Sequence, residues 1–221
     1  MKRADAGSAG TRRRFHCCSL SENFEECLAA AKKVLAGGGV IVYPTDTAYG
    51  IGANALDGKA VEKVLLMKKR EGKPISILVH GLADVERYCE VDERQKELLA
   101  ELLPGPYTIV LNVKKGAGFP ETVSSAGKIG VRVPNHFFAR VLSRELGFPL
   151  TATSANLSGA KSPVSAAEVD AEIAGKAGLV VDGGETAEKN ESTVLDLSGP
   201  KPAVLRKGAG YEKAKSVLGI E

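Results

Sequence analysis

The chain has 221 residues, 43% of them hydrophobic and 26% charged, a composition that describes a soluble globular protein with one good-sized core and, as expected here, a single domain. No segment approaches the roughly 20 apolar residues that span a bilayer, and none has the apolar run of a secretory signal, which argues against a membrane or secreted protein and for a cytoplasmic one. A formal charge of +3 falls far short of the density that by itself marks nucleic-acid binding, but leaves anionic small molecules as partners.

In chain order, residues 1–16 ("MKRADAGSAGTRRRFH") are basic, poor in apolar residues and aperiodic, so they are expected to form a disordered lead to a domain over 17–221. Cys17, Cys18, Cys27 and Cys89 have neither zinc-site nor C-x-x-C spacing and are expected as free thiols. Ser19 and Glu22 suggest a helix start; Phe24, Leu28, Ala31 and Leu35 share one face, and Gly37 ends it. Val40 to Tyr43 then reads as a buried strand that Pro44 terminates. The stretch that follows, "TDTAYGIGANA", reads as a loop, either an ordinary turn or a ligand loop at a strand end. A helix from about Asp57 turns Val61, Val64 and Leu65 inward and ends in "KKREGK".

Ile75 to Val79 reads as a strand, and helices are expected over Leu82 to Tyr88 and Asp92 to Leu103, with Asp92 and Gln95 at capping-box spacing. Strands Tyr107 to Val113 and Ile129 to Val133 precede a helix over Asn135 to Leu146 that Gly147 closes. Later strands are Leu150 to Thr153, Leu179 to Val181, Thr193 to Leu197 and Ala203 to Leu205, with one helix from Ser165 to about Ile173. This order predicts an α/β fold of the α+β type: one twisted sheet of mixed parallel and antiparallel strands, helices on its faces, and functional loops gathered at one edge.

Several segments carry chemistry. Lys68, Lys69, Arg70 and Lys73 sit at a predicted helix end, where basic residues also occur for purely electrostatic reasons, yet Lys and Arg together suit a polyphosphate. "TATSANLSGAKSP" concentrates the hydroxyls and amide of Ser154, Asn156, Ser158 and Ser162 beyond a strand, as a ligand loop or a helix-capping loop would. Arg132 lies inside an apolar strand pattern and must meet either an internal acid or an anion. Ser192 and Arg206 border strands, where each could simply end a turn or a strand. There is no G-x-S-x-G elbow, and His16, His80 and His136 are too scattered to suggest a metal site.

In this order, "YPTDTAYGIG", Lys68-x-Arg70, "LPGPYTIVL", "GVRVP", "TSANLSG" and "STVLDL" resemble the YrdC family of threonylcarbamoyl-AMP synthases, from about Ala30 to Gly208. The resemblance implies a YrdC-like single domain with a deep positive cleft and a nucleotidyltransferase reaction. L-threonine, bicarbonate or CO2 and ATP would give threonylcarbamoyl-AMP and pyrophosphate, with Mg2+ accompanying the ATP. The product would feed tRNA threonylcarbamoyladenosine modification by a downstream threonylcarbamoyl transferase complex, with a tRNA contact open.

Carried onto this chain, the resemblance assigns Thr45, Arg132, Ser192 and His80 to threonine. It assigns Lys68, Arg70, Lys73, Ser154, Asn156, Ser162 and Arg206 to ATP, with Lys68 and Arg70 as the catalytic pair. Lys128 stands where many members carry a Thr near the nucleotide. With the chain ending at Glu221, the likeness is to the single-domain form. In-line attack of a threonine carbamate on the α-phosphate needs positioning and charge neutralisation more than a covalent nucleophile, which suits a Lys, Arg, Ser and Asn set. The rival class is a non-catalytic RNA-binding module using the same positive cleft, which the low aromatic content of 5% disfavours.

Overall fold

The computed structural model describes residues 16–69 and 74–220. Its elements in order are β1 (Cys17–Ser19), α1 (Phe24–Ala36), β2 (Ile41–Tyr43), β3 (Gly50–Gly52), α2 (Gly58–Lys68), β4 (Ser76–Leu78), α3 (Leu82–Tyr88), β5 (Cys89–Glu90), α4 (Glu93–Leu102) and β6 (Tyr107–Val113). There follow β7 (Lys128–Arg132), α5 (Phe137–Leu146), β8 (Leu150–Ser154), a 3-10 turn (Ala166–Glu168), α6 (Ala171–Lys176), β9 (Leu179–Asp182), β10 (Thr193–Asp196), β11 (Ala203–Arg206) and α7 (Tyr211–Leu218). All strands join one mixed sheet in the order β1-β9-β2-β3-β8-β4-β7-β6-β10-β11, with β5 paired to β6.

Alternation along the strands divides the core in two. On β2, Ile41 and Tyr43 face a cluster with Leu28, Leu35, Phe138 and Leu142 of α1 and α5, whereas Val42 faces the opposite cluster with Val61 and Val64 of α2. Helices therefore cover both faces, as the mixed order of elements implies. Several expected boundaries hold for their stated reasons. Asp92 and Gln95 close a reciprocal capping box, each bond 2.8 Å. Asp57 caps α2, and Gly147 ends α5 in the left-handed region at φ 70°.

Other boundaries move. The cap of α1 is Asn23, whose side chain accepts the Glu26 N–H at 3.1 Å; Ser19 is instead consumed by β1, paired in register with Asp182. Helix α5 starts at Phe137, after His136 in extended conformation, and the Asp46 carboxylate takes the Asn135 N–H at 2.8 Å just before it. The helix expected over Ser165 to Ile173 divides into the 3-10 turn and α6, and α7, β1 and β5 had no expected counterpart.

The loop expected after Tyr43 contains β3, which runs antiparallel to both β2 and β8. Its glycines are what permit this pairing. The Tyr43 ring lies across β3, so close that a Cβ at Gly52 would stand 2.8 Å from Tyr43 Cε1, and the Tyr43 hydroxyl donates to the Thr151 carbonyl at 3.1 Å. His16 joins the sheet edge through its carbonyl, which accepts the Val180 N–H at 2.8 Å; the rest of the expected lead, residues 1–15, lies outside the described residues.

Candidate active site

A cavity of about 510 Å³ opens on the same sheet face as α1 and α5, over the part of that face these helices leave uncovered. The functional groups thus gather over a sheet face and not at its edge, which corrects the expectation above. Period-two alternation builds the floor: Ser76 and Leu78 of β4, Gly130 and Arg132 of β7, Thr108 and Val110 of β6, Val194 and Asp196 of β10 all point the same way. Register brings them level, with Val110 opposite Gly130 and Thr108 opposite Val194.

One wall is the segment Thr45 to Gly50. Thr45 lines the cavity, but its hydroxyl donates to the Ala48 carbonyl at 2.6 Å and accepts the Thr47 and Ala48 N–H groups, so it shapes the turn. The turn is pinned from behind: Thr186 Oγ1 donates to the Thr47 carbonyl at 3.0 Å, and the Tyr49 hydroxyl donates to the Gly184 carbonyl at 2.7 Å. Burial raises the Tyr49 phenol to about 12, so it remains a proton donor at neutral pH.

Arg132 enters this wall from β7. Its Nη2 donates to Asp46 Oδ1 at 2.9 Å and Thr47 Oγ1 at 2.8 Å, while its Nε is buried without a hydrogen-bond partner among the described residues. The internal acid anticipated for this guanidinium exists, and the same side chain lines the cavity. Next to it, burial pushes the His136 imidazole below its ordinary value, against a smaller opposing pull from Asp46.

The far wall is a hydroxyl and charge network. Ser192 Oγ lies 2.9 Å from Thr108 Oγ1 and accepts Arg206 Nη2 at 3.1 Å; Arg206 Nε and Nη2 also donate to the Ser192 carbonyl, at 3.1 and 2.9 Å. Glu191 joins two more of the expected residues, since its carboxylate accepts Ser162 Oγ at 2.8 Å and Arg206 Nη1 at 2.5 Å. Gly208 permits the close approach on which this wall depends: a Cβ there would stand 2.3 Å from the Glu191 carbonyl oxygen. At the rim, Lys128 reaches Asp196 at 3.4 Å; burial raises the Asp196 carboxyl, but hydrogen bonds from Ser198 together with Lys128 hold it below its ordinary value.

Ser154 ends β8 at the cavity and donates through Oγ to Asn156 Oδ1 at 2.5 Å. Lys68 lies behind this loop, not on the cavity wall. It is buried, and its Nζ donates to the backbone carbonyls of Ser154 and Asn156 and to Asn156 Oδ1, so in this geometry it fastens the loop.

Of the residues expected to act together, Thr45, Arg132, Ser154, Ser162, Ser192 and Arg206 meet at the cavity, with Lys128 at its rim. His80 does not: it lines a separate hollow of about 210 Å³ with Asp84 and Arg144, its Nδ1 3.2 Å from the Arg140 carbonyl. Arg70 and Lys73 lie outside the described residues. Sequence reasoning missed Asp46, Thr108 and Glu191. Asp46 lies within a quoted motif and Glu191 directly precedes one, but their arginine partners are 86 and 15 residues away, so only tertiary structure pairs them; Thr108 carried no signal either, because only register sets it against Ser192.

Among the described residues no group of three or more His, Cys, Asp or Glu side chains could hold a metal ion, and no helix is long and apolar enough to cross a membrane. The donor set suits an anionic ligand whose own oxygens would carry any Mg2+.

Comparison with known proteins places this geometry. The family model Sua5_yciO_yrdC, described as telomere recombination, matches residues 33–208. A protein of Methanocaldococcus jannaschii is 39% identical over 188 residues, 85% of this chain and 88% of that protein. The threonylcarbamoyl-AMP synthase of Bacillus subtilis is 36% identical over 87% of this chain, which spans 56% of that protein. The crystal structure of Pyrococcus abyssi Sua5 complexed with L-threonine superposes with a TM-score of 0.81 at 35% identity, covering 87% of this chain and 57% of that one. With the family model matching four-fifths of its length and its fold superposing on that of a solved relative, the chain belongs to the Sua5/YciO/YrdC family.

Proposed function

We propose that this protein is a threonylcarbamoyl-AMP synthase, a nucleotidyltransferase that converts L-threonine, bicarbonate or CO2 and ATP to threonylcarbamoyl-AMP and pyrophosphate. The observation that carries this reading is the convergence of Arg132, Ser154, Ser162, Ser192 and Arg206 on one cavity in a chain of this family. The Bacillus relative bears that activity in its name, and the Pyrococcus relative holds L-threonine in its crystal structure.

Threonine occupies the end of the cavity near Arg132 and Thr45 in this reading. Arg132 is oriented by Asp46 and Thr47, and its guanidinium meets the threonine carboxylate. ATP lies toward Ser154, Ser162 and Arg206, with Arg70 and Lys73 completing the phosphate charge. Lys68 acts by holding the Ser154–Asn156 loop in place.

The threonine amine adds to CO2, losing a proton, and a carbamate oxygen attacks the α-phosphorus as pyrophosphate leaves. Positioning and cationic neutralisation drive this step, and no side chain need form a covalent bond. Mg2+, if bound, would be held by the nucleotide's own phosphate oxygens and would supply further neutralisation of phosphate charge. The product passes to a threonylcarbamoyl transferase acting on tRNA.

The test is pyrophosphate release with purified protein and ATP, omitting threonine or bicarbonate in turn and offering serine or valine in place of threonine. Release that needs both co-substrates supports the synthase. Tight, steeply salt-dependent tRNA binding without turnover would replace it with an RNA-binding role.

A further inference from the structure

Two residues of the ATP cradle, Ser162 and Arg206, are joined by one carboxylate that the reaction does not use. Glu191 accepts Ser162 Oγ at 2.8 Å through Oε1 and Arg206 Nη1 at 2.5 Å through Oε2. Its backbone is fixed, with its N–H donated to Asn190 Oδ1 and its carbonyl accepting the Ala209 N–H, each at 2.8 Å. Its side chain, by contrast, is 42% exposed at the cavity wall.

A carboxylate can orient an arginine or occupy an anion's place. Arg206 needs no such orientation, because Nε and Nη2 are already held by the Ser192 carbonyl and Oγ. That leaves Nη1 and the Ser162 hydroxyl as the two donors directed at Glu191. A planar anion on a guanidinium and a hydroxyl makes the contacts a phosphate makes.

We infer that Glu191 is an internal stand-in for a ligand phosphate, holding Ser162 and Arg206 between ligands and giving way when a polyphosphate enters. This rests on the nucleotide reading proposed above. A half-exposed ion pair is weak, so a polyanion displaces it readily. The returning carboxylate competes with pyrophosphate for the same donors and so favours its departure. Glu191 is thus a positioning residue that moderates affinity for the phosphate part of the ligand while ignoring the nucleoside.

The experiment is calorimetric titration of wild type, Glu191→Gln and Glu191→Ala with inorganic pyrophosphate, ATP and adenosine, each with Mg2+ and with a chelator, after thermal melts establish that all three fold. Both variants should bind pyrophosphate and ATP about two- to fivefold more tightly, the range set by losing a weak competing ion pair. Adenosine affinity should not change, and pyrophosphate should inhibit turnover more strongly. Unchanged or weaker anion binding in Glu191→Gln would overturn the inference, and weakening confined to the Mg2+ arm would mark Glu191 as a metal ligand instead. A wild type that binds neither ATP nor pyrophosphate would remove the nucleotide reading and this inference with it; wild-type binding with no gain in the variants removes the inference alone.

Discussion

Replacing Arg132 with alanine separates its two roles, because the side chain both neutralises Asp46 and faces the cavity. The Asp46 carboxylate is 4% exposed and Arg132 12%, joined at 2.9 Å. After truncation Asp46 keeps the Asn135 N–H at 2.8 Å but loses its only ion pair among the described residues. Breaking a buried pair costs about 3–5 kcal/mol, and the low end applies here because water can enter from the cavity. At about 2–4 °C per kcal/mol for a domain of this size, the melting temperature should fall by about 6–12 °C. Asp46→Asn combined with Arg132→Ala removes the stranded charge, so the double variant should recover most of that loss. Threonine affinity should fall roughly tenfold to a hundredfold in both, and Arg132→Lys should restore stability better than affinity, since an ammonium lacks the guanidinium fork. Thermal unfolding followed by circular dichroism measures the first effect, and titration calorimetry with threonine the second. Arg132→Ala melting within about 1 °C of wild type, or a double variant no more stable than the single, would refute the reasoning.

Other outcomes follow from the same contacts. Lys68→Met should lower stability by about 2–3 kcal/mol, because it withdraws a charged donor from the Ser154 and Asn156 carbonyls, and should weaken ATP more than threonine; unfolding and binding titrations check both. The His136 imidazole is held below its ordinary 6.5 by burial, so the unfolded chain binds the proton more readily. Its contribution to stability is complete above the unfolded value and is lost as pH falls through the folded one; His136→Asn should flatten the fall in urea midpoint below about pH 6.5. Gly208→Ala would place a Cβ 2.3 Å from the Glu191 carbonyl oxygen, which should cost about 1–3 kcal/mol and raise the KM for ATP; a variant with wild-type kinetics and melting would show that the wall yields freely.

Local rules carried much of the fold. Caps at Asp57, Asp92 and Gly147 and the buried strands were legible because side-chain acceptors, left-handed glycine and period-two alternation act over a few residues. The ordered motifs named the cavity residues Arg132, Ser154 and Ser192, and the family resemblance they carried added Ser162 and Arg206, before any geometry was known. Tertiary structure decided the rest. Strand β3 was hidden because its glycines have no pattern of their own and are explained only by the Tyr43 ring lying over them. Ser19 resembled a helix cap until pairing with Asp182 claimed it for a strand. Lys68, grouped with phosphate-binding cations by its motif, turns toward backbone carbonyls 86 and 88 residues away in sequence, and His80 faces a different hollow. Which donor meets which acceptor across the sheet depends on strand order and register, set by burying both faces at once, and no short window of sequence contains that information.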